Sequence, residues 1–338
     1  MKAVAYTHAR PIAAEDALFD TDLPEPAPRR HDLLVEVRAV SVNPVDTKLR
    51  RSAEPLGELR VLGFDAAGIV RGVGPQVEHF GIGDEVYYAG SVDRPGSNAE
   101  FQLVDERLVA RKPVTLSFAE AAALPLTTLT AWEMLFDRFH LPRDRTHHGN
   151  LLIVGGAGGV GSMAIQLAAQ LTGFTVIATA SRPETQAWCR SLGAHHVIDH
   201  RHDMARQFQT LKLDAPSHIF CTTHIEQHWR CLCHLLAPEG RIGLIESCPP
   251  LDVGELFSKA GSLHTEYMFA RSLHHTPSMR EQHSILERVA RLVDEGLLRT
   301  TMTENLGPIN AANLRRAHEA AEAGRARGKI VLEGFHLH

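Results

Sequence analysis

A glycine-rich turn between an apolar strand and an amphipathic helix constrains the fold of this 338-residue chain more than any other feature. Residues 151–154 form a short apolar run, and residues 160–171 repeat apolar side chains at helical spacing. The turn between them contains Gly156-x-Gly158-x-x-Gly161. Glycines at this spacing permit a tight turn, close approach of a pyrophosphate, and close packing of helix on strand, in that order. The segment therefore predicts the nucleotide-binding turn of a doubly wound α/β sheet of the Rossmann type.

Backbone N–H groups at the start of the following helix would face the phosphates of a dinucleotide. The cofactor-binding residues predicted in this turn are Gly156, Ala157, Gly158, Gly159, Val160 and Gly161. The alternative is a glycine-rich turn without a ligand, which the strand–turn–helix context disfavours.

The end of the second strand distinguishes NAD from NADP. Enzymes that use NAD place Asp or Glu there to hold the ribose hydroxyls. This strand ends in Thr179-Ala180-Ser181-Arg182, without a carboxylate, and Ser181 and Arg182 can bind a 2′-phosphate. NADP(H) is therefore the predicted cofactor. Ser181-Arg182-Pro183-Glu184 also fits a helical capping box, and the two roles can coexist.

Further alternation of strand-like and helical runs predicts a parallel sheet of six strands. The additional strand-like runs are residues 175–180, 196–198, 218–221, 241–245 and 263–269. The first 125 residues contain instead short strand-like runs between Gly- and Pro-rich turns, which is typical of a small barrel or sandwich. Two helical segments and a strand-like run at 328–332 close the chain.

Composition excludes several classes of partner. The net charge of −5 gives no general attraction to nucleic acid or to anionic membranes. No run of apolar residues is long enough for a signal peptide or a membrane span. The five cysteines all follow residue 188, which fits a reducing compartment without a disulfide framework. A cytoplasmic protein is therefore expected.

Six stretches together resemble the medium-chain dehydrogenase/reductase superfamily over nearly the whole chain. The resemblance is strongest to the zinc-independent quinone oxidoreductase branch, and within it to a group often labelled "zinc-type alcohol dehydrogenase-like". It implies a discontinuous, mostly-β (GroES-like) catalytic domain at 1–126 and 272–338, and a Rossmann domain at 127–271. The stretches are residues 41–46 (SVNPVD), 63–68 (GFDAAG), 94–101 (RPGSNAEF), 124–127 (LPLT), 156–161 and 328–332 (GKIVL).

The resemblance also bears on metal binding. Zinc-dependent relatives place a ligand Cys where this chain has Asn43, and a ligand His where it has Phe64. Asp46 and Asp65 remain, but a catalytic zinc normally has three protein ligands. No cysteine precedes Cys189, so a four-cysteine structural site is excluded from the first domain. No metal is therefore predicted at either position.

A second group of potential metal ligands lies near residue 230. His224, His228 and Cys231 follow helical spacing, and Cys233 and His234 are close in sequence. Zinc could bind such a group, but no distant ligand is visible, and a helix that packs small and polar residues beside the sheet explains the pattern better. No metal-binding residues are therefore predicted.

Without a Lewis acid, a hydride acceptor must already be electron-poor. The predicted function is NADPH-dependent reduction of quinones or α,β-unsaturated carbonyls. The resemblance places Asn43, Asp46 and Thr130 near the nicotinamide, and Lys48 where many quinone oxidoreductases have Tyr. It also places Thr222 near the cofactor ribose and Lys329 near the nicotinamide end.

These positions have ordinary structural interpretations as well. Asn43-Pro44 is typical of a turn, Thr130 of a helix, and Lys48 of a solvent-exposed side chain.

Two other functions remain open from the sequence. One is a zinc-type alcohol or aldehyde dehydrogenase of the same fold. The other, from a different class, is a non-catalytic NADPH-binding protein with a structural or RNA-binding role. The resemblance further implies a homodimer or homotetramer, formed through the edge strand at 263–269.

Overall fold

The computed structural model describes residues 1–324 and 326–335. The chain divides into two compact units. The discontinuous unit consists of Met1–Leu126 and of the segment that begins at Phe269; the central unit is Thr127–Met268. The first boundary coincides with the predicted one, and the second lies three residues before it.

The first part of the discontinuous unit contains eight strands and two α-helices within its described residues. They are β1 (Lys2–Tyr6), β2 (Phe19–Asp22), β3 (Asp32–Ser41), α1 (Pro44–Ser52), β4 (Arg60–Val61), β5 (Asp65–Val73), β6 (Glu85–Tyr88), β7 (Phe101–Asp105), β8 (Val109–Arg111) and α2 (Phe118–Ala122).

The central unit is a parallel sheet with helical crossovers. Its elements are α3 (Pro125–Trp132, which begins just before the boundary), β9 (Asn150–Val154), α4 (Gly159–Leu171), β10 (Thr175–Thr179), α5 (Pro183–Ser191), β11 (His196–Ile198), α6 (Met204–Thr210), β12 (His218–Cys221), α7 (Ile225–Leu235), β13 (Arg241–Leu244) and β14 (Ser262–Thr265). The strand order is β11-β10-β9-β12-β13-β14, and each neighbouring pair is parallel. The predicted doubly wound sheet is confirmed.

The last segment returns to the discontinuous unit with α8 (Ala270–Leu273), α9 (Glu281–Asp294), β15 (Met302–Asn305), α10 (Ala311–Glu322) and β16 (Lys329–Glu333). One sheet has the order β15-β16-β3-β5-β6-β8, with β7 also paired to β3, and a smaller sheet has the order β2-β1-β4. The last strand in the sequence, β16, therefore lies directly beside β3. The predicted mostly-β unit is confirmed.

Strand β3 is the centre of this unit because it pairs with three other strands. Its side chains Leu33, Val35 and Val37 are buried, and they pack with residues from β1, β5 and β6 in one apolar core. Side chains at i, i+2 and i+4 of a strand share a face, which explains why this alternating run forms a strand.

Several local predictions differ from the structure. Asn43-Pro44 does not form a simple turn: Asn43 is the N-cap of α1, with Pro44 at the first helical position. The Asp46 carboxylate accepts the Asn43 N–H at 2.7 Å, which is one half of a capping box. Helix α3 is followed directly by a π-helical turn at Glu133–Arg138.

The last strand of the parallel sheet is shorter than predicted, since β14 ends at Thr265. It lies at one edge of the sheet. Self-association through this edge stays a prediction. Among the helices of the described residues, none combines the length and the apolar character that crossing a membrane requires.

A buried cation ties α1 to α10. The Arg50 side chain is fully buried, and its guanidinium contacts the Arg10 carbonyl oxygen and the Glu322 carboxylate. Its Nε donates to Nδ1 of His318 at 3.4 Å. Burial, and secondarily the nearby Arg50, lowers the pKa of His318 from 6.5 to about 3.

We expect His318 to make the protein sensitive to mild acid. Its pKa is lower in the folded than in the unfolded state, so its contribution to stability is present above pH 6.5 and is lost as the pH falls toward 3. Between pH 6.5 and 5 the loss is about 2 kcal/mol. His318→Asn keeps an acceptor for Arg50 but does not titrate, so its free energy of unfolding should fall less over this interval.

Urea unfolding of both proteins at pH 6.5 and 5 measures the difference, in which contributions from other groups cancel. His202→Asn, at an exposed histidine, is the matched control. Equal pH dependence of the wild type and His318→Asn would contradict the assignment.

Candidate functional site

The glycine turn of the central unit connects a strand to a helix, as predicted. The turn follows β9, and α4 begins at Gly159 with Gly158 as its N-cap. The left-handed backbone conformation occurs at Gly155 (φ = 79°), so the tight turn lies one residue before its predicted position at Gly156. A Cβ atom on Gly161 would lie 2.3 Å from the Gly155 carbonyl oxygen. Gly161 is thus required for close packing, as predicted.

Gly156 and Gly158 differ in their surroundings. A Cβ on Gly156 would lie 2.8 Å from the Cβ of Ala178, so this glycine lets the turn pack against β10. A Cβ on Gly158 would meet no protein atom closer than 3.5 Å. The protein itself does not require glycine at 158, and the open space there is where a pyrophosphate would approach.

Thr179 and Thr222 hold the turn from the two neighbouring strands. Thr179 Oγ1 accepts the Gly155 N–H at 3.0 Å, and Thr222 Oγ1 donates to the Val154 carbonyl at 2.8 Å. Contact of Thr222 with the cofactor ribose stays a prediction. In this structure the hydrogen bond from its hydroxyl to Val154 supports the loop.

Ser181 and Arg182 follow the carboxyl end of β10 and are half-buried. The N-cap of α5 is Arg182, and the Thr185 hydroxyl bonds its backbone at both N–H and C=O. The predicted capping box from Ser181 to Glu184 is therefore wrong by one residue. Arg182 pairs through Nε with Glu184 at 3.0 Å, but 40% of its side chain is exposed.

Sequence reasoning missed a second arginine at this edge. Arg201 Nη2 donates to the Ser181 carbonyl at 2.5 Å and to Asp199 Oδ2 at 2.7 Å. The hydrogen bond from Arg201 holds the pKa of Asp199 below its usual range. Its position could have indicated this proximity to Ser181, because Arg201 follows β11, which is the neighbour of β10 in the sheet.

The histidines near residue 224 do not form the predicted helical face. His224 precedes α7 in a left-handed conformation (φ = 52°). The rings of His200 and His228 contact each other with centroids 5.8 Å apart. Across residues 1–324 and 326–335, no three or more His, Cys, Asp or Glu side chains are arranged to hold a metal ion.

In the discontinuous unit, the predicted residues Asn43 and Lys329 meet at Asp65. Asn43 Nδ2 and Lys329 Nζ donate to Asp65 Oδ2 at 2.8 and 3.0 Å. Ser41 Oγ donates to the same oxygen at 2.8 Å. The adjacent strands β3, β5 and β16 bring these residues together, with Ser41 opposite both Asp65 and Val331. All of these side chains are buried.

Asp46 lies beside this cluster with both carboxylate oxygens bonded. Besides the Asn43 N–H, it accepts the Gly63 N–H at 3.2 Å. Burial raises the pKa of Asp46 to about 7, although these N–H groups and the Lys329 ammonium act in the opposite direction. Its bonds orient the start of α1.

The remaining predicted site residues have different environments. Phe64 is buried and its ring meets that of Phe269 edge-on, with centroids 4.9 Å apart. Lys48 is exposed on α1, whereas Thr130 is buried in α3 of the central unit. The Asn43 amide is buried and lies between Asp65, to which Nδ2 donates, and Lys329, which donates to Oδ1.

Comparison with known proteins agrees with this architecture. Residues 29–114 match the model of the alcohol dehydrogenase GroES-like domain, and residues 192–332 match that of a zinc-binding dehydrogenase. A zinc-type alcohol dehydrogenase-like protein of Staphylococcus aureus (strain MSSA476) is 42% identical over 311 residues, 91% of this chain and 92% of that protein. An NADPH-dependent alkenal/one oxidoreductase of Arabidopsis thaliana is 37% identical over 193 residues, 54% of this chain and 48% of that protein.

Two solved structures extend the likeness to the whole chain. A Rhizobium etli CFN 42 protein, described as a candidate zinc-dependent alcohol dehydrogenase, has a TM-score of 0.96 and 57% identity, covering 100% of this chain and 99% of that one. The quinone oxidoreductase from Coxiella burnetii has a TM-score of 0.81 and 28% identity, covering 98% and 99%. The chain therefore belongs to the medium-chain dehydrogenase/reductase superfamily of oxidoreductases, among the zinc-type alcohol dehydrogenase-like proteins and with quinone oxidoreductases as structural neighbours.

Proposed function

We propose that this protein transfers hydride from NADPH to quinones or α,β-unsaturated carbonyls without a metal ion. The observation that carries the proposal is the buried cluster of Asn43, Asp65 and Lys329, in which an ammonium group already neutralises the carboxylate. The names of the Coxiella and Arabidopsis proteins, a quinone oxidoreductase and an NADPH-dependent alkenal/one oxidoreductase, support the same class of acceptor.

The residues present do not fit a catalytic zinc. Phe64 has no ligand atom, and both amide atoms of Asn43 are bonded to protein partners. Asp65 Oδ2 receives three donors and Oδ1 receives the Leu126 N–H at 2.7 Å, so both carboxylate oxygens are already engaged by protein donors. A divalent cation beside the Lys329 ammonium would also be repelled.

The edge formed by β10 and β11 favours NADPH over NADH. Ser181 lies between the Arg182 backbone and the Arg201 guanidinium, and no carboxylate ends β10. Arg182 is paired with Glu184. A 2′-phosphate, with a charge of about −2, can replace Glu184 as its partner and form a stronger, bidentate pair with the guanidinium. Asp199 is the nearby carboxylate, but it is already paired with Arg201.

NADPH held at the glycine turn would supply the hydride, and a proton from solvent would complete the reduction of the acceptor. The glycine turn would position the cofactor, and the hydrogen bond between Asp46 and the Asn43 N–H fixes the start of α1. Because the available stabilisation of a developing oxyanion is limited to hydrogen bonds, unactivated alcohols and ketones should be poor substrates.

Turnover on a defined panel tests the proposal. With NADPH in excess, quinones and enones should be reduced, while NADP⁺ with simple alcohols should give at least about a hundredfold lower kcat/KM. A reaction without protein measures the direct chemical reduction of quinones by NADPH. Arg182→Glu, in which NADPH binding should be weakened, is the protein control. Stoichiometric zinc in the purified protein, with activity on alcohols that a chelator abolishes, would favour the zinc-dependent alternative. Tight NADPH binding without turnover on any acceptor would favour a non-catalytic role.

A further inference from the structure

The Lys329 ammonium is held by three protein oxygens. Nζ donates to the Val42 carbonyl at 2.9 Å, to Asp65 Oδ2 at 3.0 Å and to Asn43 Oδ1. An ammonium has three hydrogens, so its donor capacity is used within the protein. Only 3% of the residue is exposed. These contacts do not support the predicted approach of Lys329 to the cofactor.

The same cation fixes the orientation of the Asn43 amide. Oδ1 faces Lys329 while Nδ2 faces Asp65, so a flipped amide would place like groups against each other. The Asn43 backbone in turn bonds the Asp46 carboxylate at the first turn of α1. A chain of contacts therefore runs from β16 through Asn43 to the start of this helix.

We propose that Lys329 is a positioning residue: its ammonium acts as an internal cation that organises Asn43, Asp65 and the start of α1 as a bound divalent ion would. The inference goes beyond the proposed reaction and does not depend on it. The three oxygens converge on one point, and oxygen sets of this kind coordinate Mg²⁺, Mn²⁺ or Ca²⁺ when no cation of the protein occupies the centre.

Removing the ammonium should therefore create a cation requirement. Lys329→Ala leaves the three oxygens around an open space, and we expect its melting temperature to fall by roughly 10 °C. Millimolar Mn²⁺ should restore several degrees of this loss and give an electron paramagnetic resonance signal of bound ion. The wild type should not respond. Lys329→Met, whose side chain fills the space without charge, is the matched control and should be destabilised without rescue.

A double variant keeps the test decisive if Lys329→Ala does not fold. Lys329→Met/Asp65→Asn removes both charges, so it should melt higher than Lys329→Met. Melting-temperature losses that simply add, or equal Mn²⁺ effects on wild type and Lys329→Ala, would overturn the proposal. A rise of more than about tenfold in the NADPH dissociation constant of folded Lys329→Met would instead place Lys329 at the cofactor. Failure of quinone or enone turnover alone would leave these outcomes unchanged.

Discussion

Gly161→Ala is expected to lower the melting temperature by roughly 5–10 °C, whereas Gly158→Ala should change it by less than about 3 °C. The methyl group at 161 would meet the Gly155 carbonyl at 2.3 Å and the Gly156 Cα at 2.8 Å, both of them backbone atoms. Neither can move without opening the turn. At 158 the nearest atom is 3.5 Å away, so the protein accommodates the methyl group.

The effect of Gly158→Ala should appear in cofactor binding rather than in stability. Gly158→Ala should remain folded, yet its methyl group would fill the space through which a pyrophosphate would approach, so NADPH affinity should fall at least about tenfold. Thermal unfolding followed by circular dichroism and calorimetric titration with NADPH measure the two effects. Equal loss of stability in both variants would contradict the steric assignment, and unchanged NADPH affinity of Gly158→Ala would contradict the phosphate-binding role.

Arg182→Glu is expected to raise the dissociation constant of NADPH about a hundredfold and that of NADH less than about threefold. The substitution removes a guanidinium at the end of β10 and adds a carboxylate that repels the 2′-phosphate. NADH lacks this phosphate, so the change should affect it little. Arg190→Glu reverses an exposed charge in the last turn of the same helix and is the control for the altered net charge.

Arg201→Glu distinguishes the two arginines. If both arginines bind the phosphate, Arg201→Glu should also lower the affinity for NADPH selectively. If Arg201 only orients Ser181 and Asp199, the affinities for NADPH and NADH should fall to a similar extent. Fluorescence titrations with NADPH and NADH give all of these constants. Equal weakening of the two cofactors by Arg182→Glu would refute the phosphate role of that residue.

Local patterns in the sequence predicted the parallel sheet and the packing role of Gly161 correctly. Both depend on residues that are neighbours along the chain: an apolar strand, a glycine turn and an amphipathic helix. Small errors arose where neighbouring signals compete. Ser181 and Arg182 both precede Pro183, and the Thr185 hydroxyl selects Arg182 as the N-cap. Likewise Asn43-Pro44 is compatible with a turn or with a helix start, and the Asp46 carboxylate stabilises the helix.

The environment of Lys329 could not be derived from local patterns. A lysine at the start of a strand is usually solvated, and its three oxygen partners lie at positions 42, 43 and 65. They meet only because β16 inserts beside β3, a pairing between chain segments that no short motif encodes. Arg201 was missed for the same reason, since its relation to Ser181 requires the strand order of the sheet.

The separation of charge partners along the chain has a consequence for synthesis. Asp65 and Arg50 emerge from the ribosome 264 and 272 residues before Lys329 and Glu322. At about 5–20 residues per second this is a delay of roughly 13–55 s. Burying either charge without its counter-ion is strongly unfavourable, whereas Thr127–Met268 is continuous and can fold during the wait. The nascent protein should therefore mature from the middle of its sequence outward, which stalled nascent chains would reveal as protease resistance of the central unit before that of the first 126 residues.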